Sequence, residues 1–350
     1  MEPRAAWRIH DDLDRRSSGL EATRTVRAGG NALNLRWYHA LFWGVGIGGM
    51  YLMPEFVERG TLRTMIQACY LAIFAMSWDV LSGRTGYISF GHPFLIGIGA
   101  YSTAILSKKF GVPPEYSIPL AIVITMFGGL VVLLPALRIK GSYFALVTLA
   151  FMELMYQLVQ VIRPDLTGGT RGITGIKSLT RGAEAGYELA VTLMLGVALG
   201  LWLLMRTRFG TALWAIGMDE DSVRGSGLST TRLKTMAFLV SALVAGLGGA
   251  YYAHYTGSLA PRALFDIDFL FTIIVAALIG GAGTIIGPMF GAFFLIFLLE
   301  WLRPILPGAE RYFVYGGVAL ILYMYQPKGL VAIAQSLRDR VRGDNYDHRA

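Results

Sequence analysis

The chain has 350 residues, 54% of them hydrophobic and only 15% charged, and its mean hydropathy is +0.52. Soluble proteins carry about 25% charged residues, so this composition excludes an ordinary soluble globule. The net charge of +8 gathers at the termini and in a few loops, which fits membrane topology better than a nucleic-acid surface, and the single cysteine, Cys69, excludes a disulfide framework or thiolate metal cluster.

Residues 1–34 are polar and Arg-rich, with no apolar core before a cleavage site, and read as a cytoplasmic tail and not a signal peptide. From residue 35 to 330 the apolar runs predict an all-α, polytopic membrane helix bundle of about ten spans (8–10), each needing roughly 20 helical residues. The expected spans are 37–54, 62–81, 90–107, 117–135, 142–162, 187–206, 233–256, 269–283, 287–304 and 312–327. Residues 331–350 form a second polar tail. With the N-terminal tail inside, Arg84, Arg138 and Lys140, the stretch Arg206 to Lys234, and Arg338 to Arg342 all fall on the cytoplasmic side, as does the C-terminus. Lys108, Lys109 and the loop 163–186 are exceptions to that bias.

After the second span comes Gly83-Arg-Thr-Gly86, then Gly91, His92 and Pro93. Gly280-Gly-Ala-Gly283, then Gly287 and Pro288, echoes it late in the chain. The pair reads either as two related helix breaks near a translocation path, as in transporters built from repeats, or as Gly-Pro turns that recur between short spans. Many of the 43 glycines lie inside apolar runs, where small residues let membrane helices approach closely. Two acids stand in such runs. Glu153 lines a pathway or ties two helices, since an unpaired carboxylate at that depth costs at least a few kcal/mol. Glu300 has Arg303 beside it and reads as a surface pair. His92 and His254 read as hydrogen-bonded packing residues.

A polar island, Ala215 to Lys234, separates two apolar runs. Asp219, Glu220 and Asp221 come first, and Gly225, Gly227 and Leu228 follow, an order that suits a short helix with acids in its first turn and a glycine stop. The segment 207–232 is either a helix held out to a soluble partner or a solvated connector. The chain has no phosphate-binding GxxxxGK[ST] loop, no HExxH and no GxSxG, so it is expected to do no covalent chemistry and to bind no cofactor or metal of its own.

Five segments stand out in order: Leu81 to Tyr101 (LSGRTGYISFGHPFLIGIGAY), Leu137 to Phe151, the run Thr167 to Gly175, Arg208 to Ile216 with its acidic sequel, and Gln326 to Leu330. Together they resemble the LivM-type permease subunits of branched-chain amino acid ABC importers. The resemblance covers roughly residues 60 to 330. It implies a multi-pass subunit of a bacterial-type inner membrane, in contact with lipid and not with nucleic acid. It further implies a second permease, two cytoplasmic ATPase subunits that use the ATP, and a periplasmic solute-binding protein as partners. On this resemblance Thr167, Gly168 and Gly169 belong to an external loop. Asp219, Glu220, Asp221, Gly227 and Leu228 belong to the segment that couples to the ATPases, although Ser222 and Val223 stand where the family has two alanines. A secondary transporter or channel working alone is the rival class, and it would need ion-coordinating groups at the membrane midplane.

Overall fold

A computed structural model describes residues 46–136 and 142–306, with isolated positions on either side of these stretches. The tails 1–34 and 331–350 and the expected span 312–327 lie essentially outside the described residues. Two units separate, residues 1–57 and 58–350. In the first, residues 46–56 are helical, within and just beyond the expected span 37–54.

In the second unit the main helices are α1 (Arg59–Trp78), α2 (His92–Lys109), α3 (Pro114–Ala136), α4 (Ser142–Val161) and α5 (Ala183–Met205). Then come α6 (Arg208–Met218), the short α7 (Glu220–Gly225), α8 (Thr230–Thr256), α9 (Ile267–Gly280) and α10 (Ile286–Leu302). Apart from α6 and α7, each follows an apolar run of the sequence, shifted by a few residues. Among the described residues five helices (α1, α3, α4, α5 and α8) are long and apolar enough to cross a bilayer, and α9 and α10 are shorter apolar helices. α2 has the length, but its glycines and its final Lys108 and Lys109 dilute its apolar character.

α1 is the centre of this unit. Every residue from Leu71 to Trp78 is buried, and α5, α8, α9 and α10 pack around it. α5 faces it with the stripe Tyr187, Ala190, Val191, Met194, Ala198, Leu201 and Met205, spaced for one side of a helix. α8 crosses α2 at backbone contact. A methyl carbon on Gly249 would lie 2.2 Å from the Ile96 carbonyl oxygen, and one on Gly99 would lie 2.6 Å from that of Gly246. Only glycine permits such an approach, and dispersion between the bared backbones then holds the pair.

One end of this unit is closed by an ordered cap. Ile173–Thr174 pairs antiparallel with Ser258–Leu259. Buried His254 donates from Nδ1 to the Lys177 carbonyl (2.6 Å), and its Nε2 accepts from the Thr103 hydroxyl (2.8 Å). Lys108 donates to the Thr174 carbonyl, which sets the end of α2 beside this loop. The opposite end carries Arg84, Arg206, Arg208 and the segment through Lys234.

Candidate functional site

The chemistry of the basic end starts with how α1 finishes. α1 passes into a single π-helical turn, Asp79–Gly83, and the Arg84 N–H closes it on the Asp79 carbonyl. Asp79 is fully buried. Its carboxylate accepts the backbone N–H of Gly283 and, at 2.9 Å, that of Ile285. Both donors belong to the turn between α9 and α10, more than 200 residues away in sequence. Charge-assisted acceptors of this kind are among the stronger hydrogen bonds.

This turn is tight. Ile285 sits at φ 66°, ψ −52°, with the Ile286 N–H donating to the Thr284 carbonyl at 2.8 Å. That is a strained three-residue turn, adopted here by a β-branched residue for which positive φ is an outlier. Gly280 and Gly287 meet backbone to backbone: a methyl carbon on Gly280 would lie 1.8 Å from the Gly287 carbonyl oxygen.

The two glycine-rich breaks, separate in sequence, are therefore in contact. A methyl carbon on Gly83 would lie 2.6 Å from the Gly283 nitrogen and would also strike the Asp79 carboxylate. Gly329, of the segment Gln326 to Leu330, packs on the same turn, where a methyl carbon would lie 2.4 Å from the Gly281 nitrogen. Beyond the first break, Gly91 precedes α2, and His92 is its first residue, followed by Pro93. His92 Nε2 is 2.9 Å from the Ser241 hydroxyl, which donates in turn to the Ser77 carbonyl, so α1, α2 and α8 are joined beside the break.

The polar island folds onto this junction as two helices. Thr207 starts α6, and Asp219 caps α7 by accepting the N–H groups of Asp221 and Ser222. α7 ends at Gly225, and Gly227 follows at φ 85°, the left-handed backbone that glycine favours. Gly217 of α6 lies against the break, where a methyl carbon would be 2.5 Å from the Arg84 carbonyl oxygen. Trp214 of α6 reaches both breaks. The Arg84 guanidinium is 5.7 Å from its ring centroid, and its ring edge would be 3.3 Å from a methyl carbon on Gly283.

Glu220 stands in the first turn of α7 with Asp221, but its side chain is largely buried where that of Asp221 is exposed. Its carboxylate accepts from Lys234 Nζ at 2.8 Å and from the Tyr87 hydroxyl, and Lys234 also donates to that hydroxyl at 3.0 Å. Burial alone would raise the Glu220 pKa; the hydrogen bonds from Lys234 and Tyr87 and the Lys234 charge outweigh it and hold the group at about 2. This clamp is present above the ordinary glutamate value and is lost only as pH falls through about 2. The Glu220 carboxyl carbon resonance of labelled protein is expected to titrate near pH 2; a midpoint at 4 or above would rule the clamp out.

Met218 is 76% exposed, Leu228 51% and Ile88, just past the first break, 52%; the charged Asp219, Asp221, Arg224 and Arg232 share the stretch that holds Met218 and Leu228.

Glu153 is expected from the sequence to line a pathway or to tie two helices. Its side chain lies on the exposed face of α4, and its bonded partner is Gln157 one turn along the same helix, at 2.8 Å. Among the described residues it is bonded within α4 and not to a second helix. Glu153→Leu is accordingly expected to leave the recovery and melting of the isolated chain unchanged within error; lowered recovery of the chain alone would restore the structural tie. Glu300 pairs with Arg303 at 3.4 Å.

The Thr167–Gly169 turn lies at the capped end. The Thr167 hydroxyl donates to the Val159 carbonyl at 2.7 Å, and Gly168 and Gly169 both have positive φ. A methyl carbon on Gly168 would lie 1.9 Å from the Gly172 carbonyl oxygen. Among the described residues no group of three His, Cys, Asp or Glu side chains is placed to hold a metal.

Asp79 was missed by sequence reasoning. A lone acid closing an apolar run is its one signal. Its acceptor role becomes visible only when the second glycine break is beside it.

Comparison with known proteins bears on the same elements. Residues 60–323 match the family model described as "Branched-chain amino acid transport system / permease component". The chain is 26% identical over 311 residues to the high-affinity branched-chain amino acid transport system permease protein LivM of Salmonella typhimurium, covering 81% of this chain and 72% of that one. It is 27% identical over 265 residues to the inner membrane ABC transporter permease protein YjfF of Escherichia coli, with 70% and 77% covered. It is 27% identical over 287 residues to the ribose import permease protein RbsC of Haemophilus influenzae, with 79% and 87% covered. The matched residues include both glycine breaks, Asp79, α6 and α7, and on this ground the chain belongs to the family of branched-chain amino acid transport system permease components.

Proposed function

We propose that this chain is one of two membrane subunits of an ATP-driven importer in a bacterial-type inner membrane. It carries branched-chain amino acids or related small polar solutes. Its partners are a second permease, two cytoplasmic ATPase subunits and a periplasmic binding protein, and both its termini are cytoplasmic. The chain hydrolyses no ATP. The observation that carries this reading is that α6 packs on both helix breaks and α7 is clamped to Tyr87 beside the first, while Met218, Leu228 and Asp221 are presented outward. A solvated connector has no need of a backbone contact with one break and a Trp214 side-chain contact with the other.

In this reading the ATPases hold Met218 to Leu228, and the differing affinity of the two ATPase states for that surface supplies the coupling free energy. α6 passes the displacement to Gly83 and Gly283. The Glu220–Lys234–Tyr87 clamp keeps α7 rigid on the base of α8, so that α7 moves with the break and not against it. Glu153 and Gln157 on the outer face of α4 line the surface shared with the second permease, because a carboxylate facing lipid would cost a few kcal/mol.

The test is reconstitution of the chain with its partner subunits in vesicles. ATP-dependent uptake is expected from the complex and no ATP turnover from this chain alone; turnover by a clean single-chain preparation overturns the reading. Gly227→Val supplies the finer arm. A side chain at Gly227 has open space around it, but its φ of 85° costs valine about 1–2 kcal/mol. The variant is expected to insert normally and lose most uptake, with hydrolysis no longer responding to the binding protein. Normal coupling would reduce the segment to a connector.

A further inference from the structure

We infer that Arg84 is a transferable cation and that the position of α6 decides whether Asp79 holds the strained α9–α10 turn. The inference rests on the importer reading only for what moves α6. Three observations carry it.

First, Asp79 has two claimants. Its carboxylate is taken by the Gly283 and Ile285 N–H groups, yet Arg84 stands one π-helical turn away on the same stretch of chain, its own N–H bonded to the Asp79 carbonyl. Second, Arg84 is held off. Among the described residues its guanidinium bonds no carboxylate, its Nε is buried without a partner, and it lies over the Trp214 ring. A cation over an aromatic face is a weaker arrangement than a charge pair in a buried place, so it persists only while Trp214 is there to receive it. Third, the turn cannot keep its shape unaided. Ile285 at φ 66° is strained, and a strained backbone persists where its surroundings over-determine it. Here the surroundings are the Asp79 carboxylate, the Trp214 edge and the glycine contacts.

The exchange follows. When α6 is drawn away, Arg84 loses the indole face and pairs with Asp79. The Gly283 and Ile285 N–H groups lose their acceptor, and the turn relaxes toward unstrained backbone, freeing α9 and α10 to tilt. When α6 returns, Trp214 recaptures Arg84 and the turn re-forms. Asp79 is thus a positioning residue that reports the state of α6 to the second break.

The test reads the turn itself, in the full chain in lipid nanodiscs, by hydrogen exchange of the peptide covering residues 280–287. Trp214→Leu, at a half-exposed site, is expected to raise exchange there by about tenfold or more. Arg84→Gln alone is expected to leave exchange as in the unaltered chain. The combined variant is expected to return it to that slow level, because no cation is left to claim Asp79. Exchange unchanged in Trp214→Leu overturns the inference. So does exchange that stays fast in the combined variant, since Trp214 would then be acting only by direct contact with Gly283. In the assembled complex, Trp214→Leu and the combined variant are both expected to hydrolyse ATP with little uptake, the first because the turn stays released and the second because nothing releases it; full uptake by the combined variant would show that the Arg84 exchange is not what frees α9 and α10. If the exchange pattern holds while the unaltered complex transports nothing, the importer reading fails and the latch stands. The converse pattern leaves the importer and removes the latch.

Discussion

Replacing Asp79 with leucine is expected to reduce recovery of folded chain at least tenfold. The substitution leaves the Gly283 and Ile285 N–H groups buried without an acceptor, at about 1–3 kcal/mol each. The sum, about 2–6 kcal/mol, is a large share of the 5–15 kcal/mol that stabilises a typical domain. Asp79→Asn keeps one acceptor oxygen and is expected to fall between the two. Recovery as a single peak in size-exclusion chromatography, together with the melting temperature in detergent, measures this. Wild-type behaviour of the leucine variant would mean that the turn finds other acceptors and that Asp79 holds nothing.

The contrast between Asp79 and the helices shows which parts of this molecule were legible in the sequence. An apolar run announces a helix by its own composition, so α1 to α5 and α8 fell where the runs are. The order Asp219, Glu220, Asp221, then glycine, announced α7 because caps and stops act within a few residues. Asp79 acts on amides some 204 residues away, and no local pattern encodes such a bond. Glu220 looked like Asp221 for the same reason: only the fold brings Lys234 and Tyr87 against one and leaves the other in solvent. The resemblance between the two glycine breaks was visible, but their contact was not, because an echo in sequence carries no distance. Glu153 shows a further limit. Its depth in an apolar run was plain, whereas the side of α4 it occupies depends on which neighbours the chain itself provides.

The second large effect is expected at the crossing of α2 and α8. Gly249→Val places a carbon 2.2 Å from the Ile96 carbonyl oxygen and close to the Ala100 nitrogen. Backbone cannot yield as a side chain does, so the helices must part by roughly 1 Å along a seam that small residues hold closed. Overpacking of this kind costs about 3 kcal/mol or more. Loss of the folded peak and degradation on expression are expected. Gly227→Val is the internal control, being the same substitution in a strained but open place. Equal recovery of the two variants would show that the crossing is loose.

The π-turn and the α9–α10 turn have one more consequence, which concerns the bilayer. α9 has 14 residues and α10 has 17. At about 1.5 Å per residue the two legs reach only about 21 and 26 Å, short of a hydrocarbon core about 30 Å thick. Legs this short are met either by a joining turn that lies below the headgroups or by a locally thinned bilayer. Irregular backbone at that depth is tolerated only inside protein, where its N–H groups have acceptors other than water. The acyl-chain length of the surrounding lipid is therefore expected to load this hairpin, with longer chains pulling it against the Asp79 bonds, so that membrane composition would act on the subunit with no ligand bound.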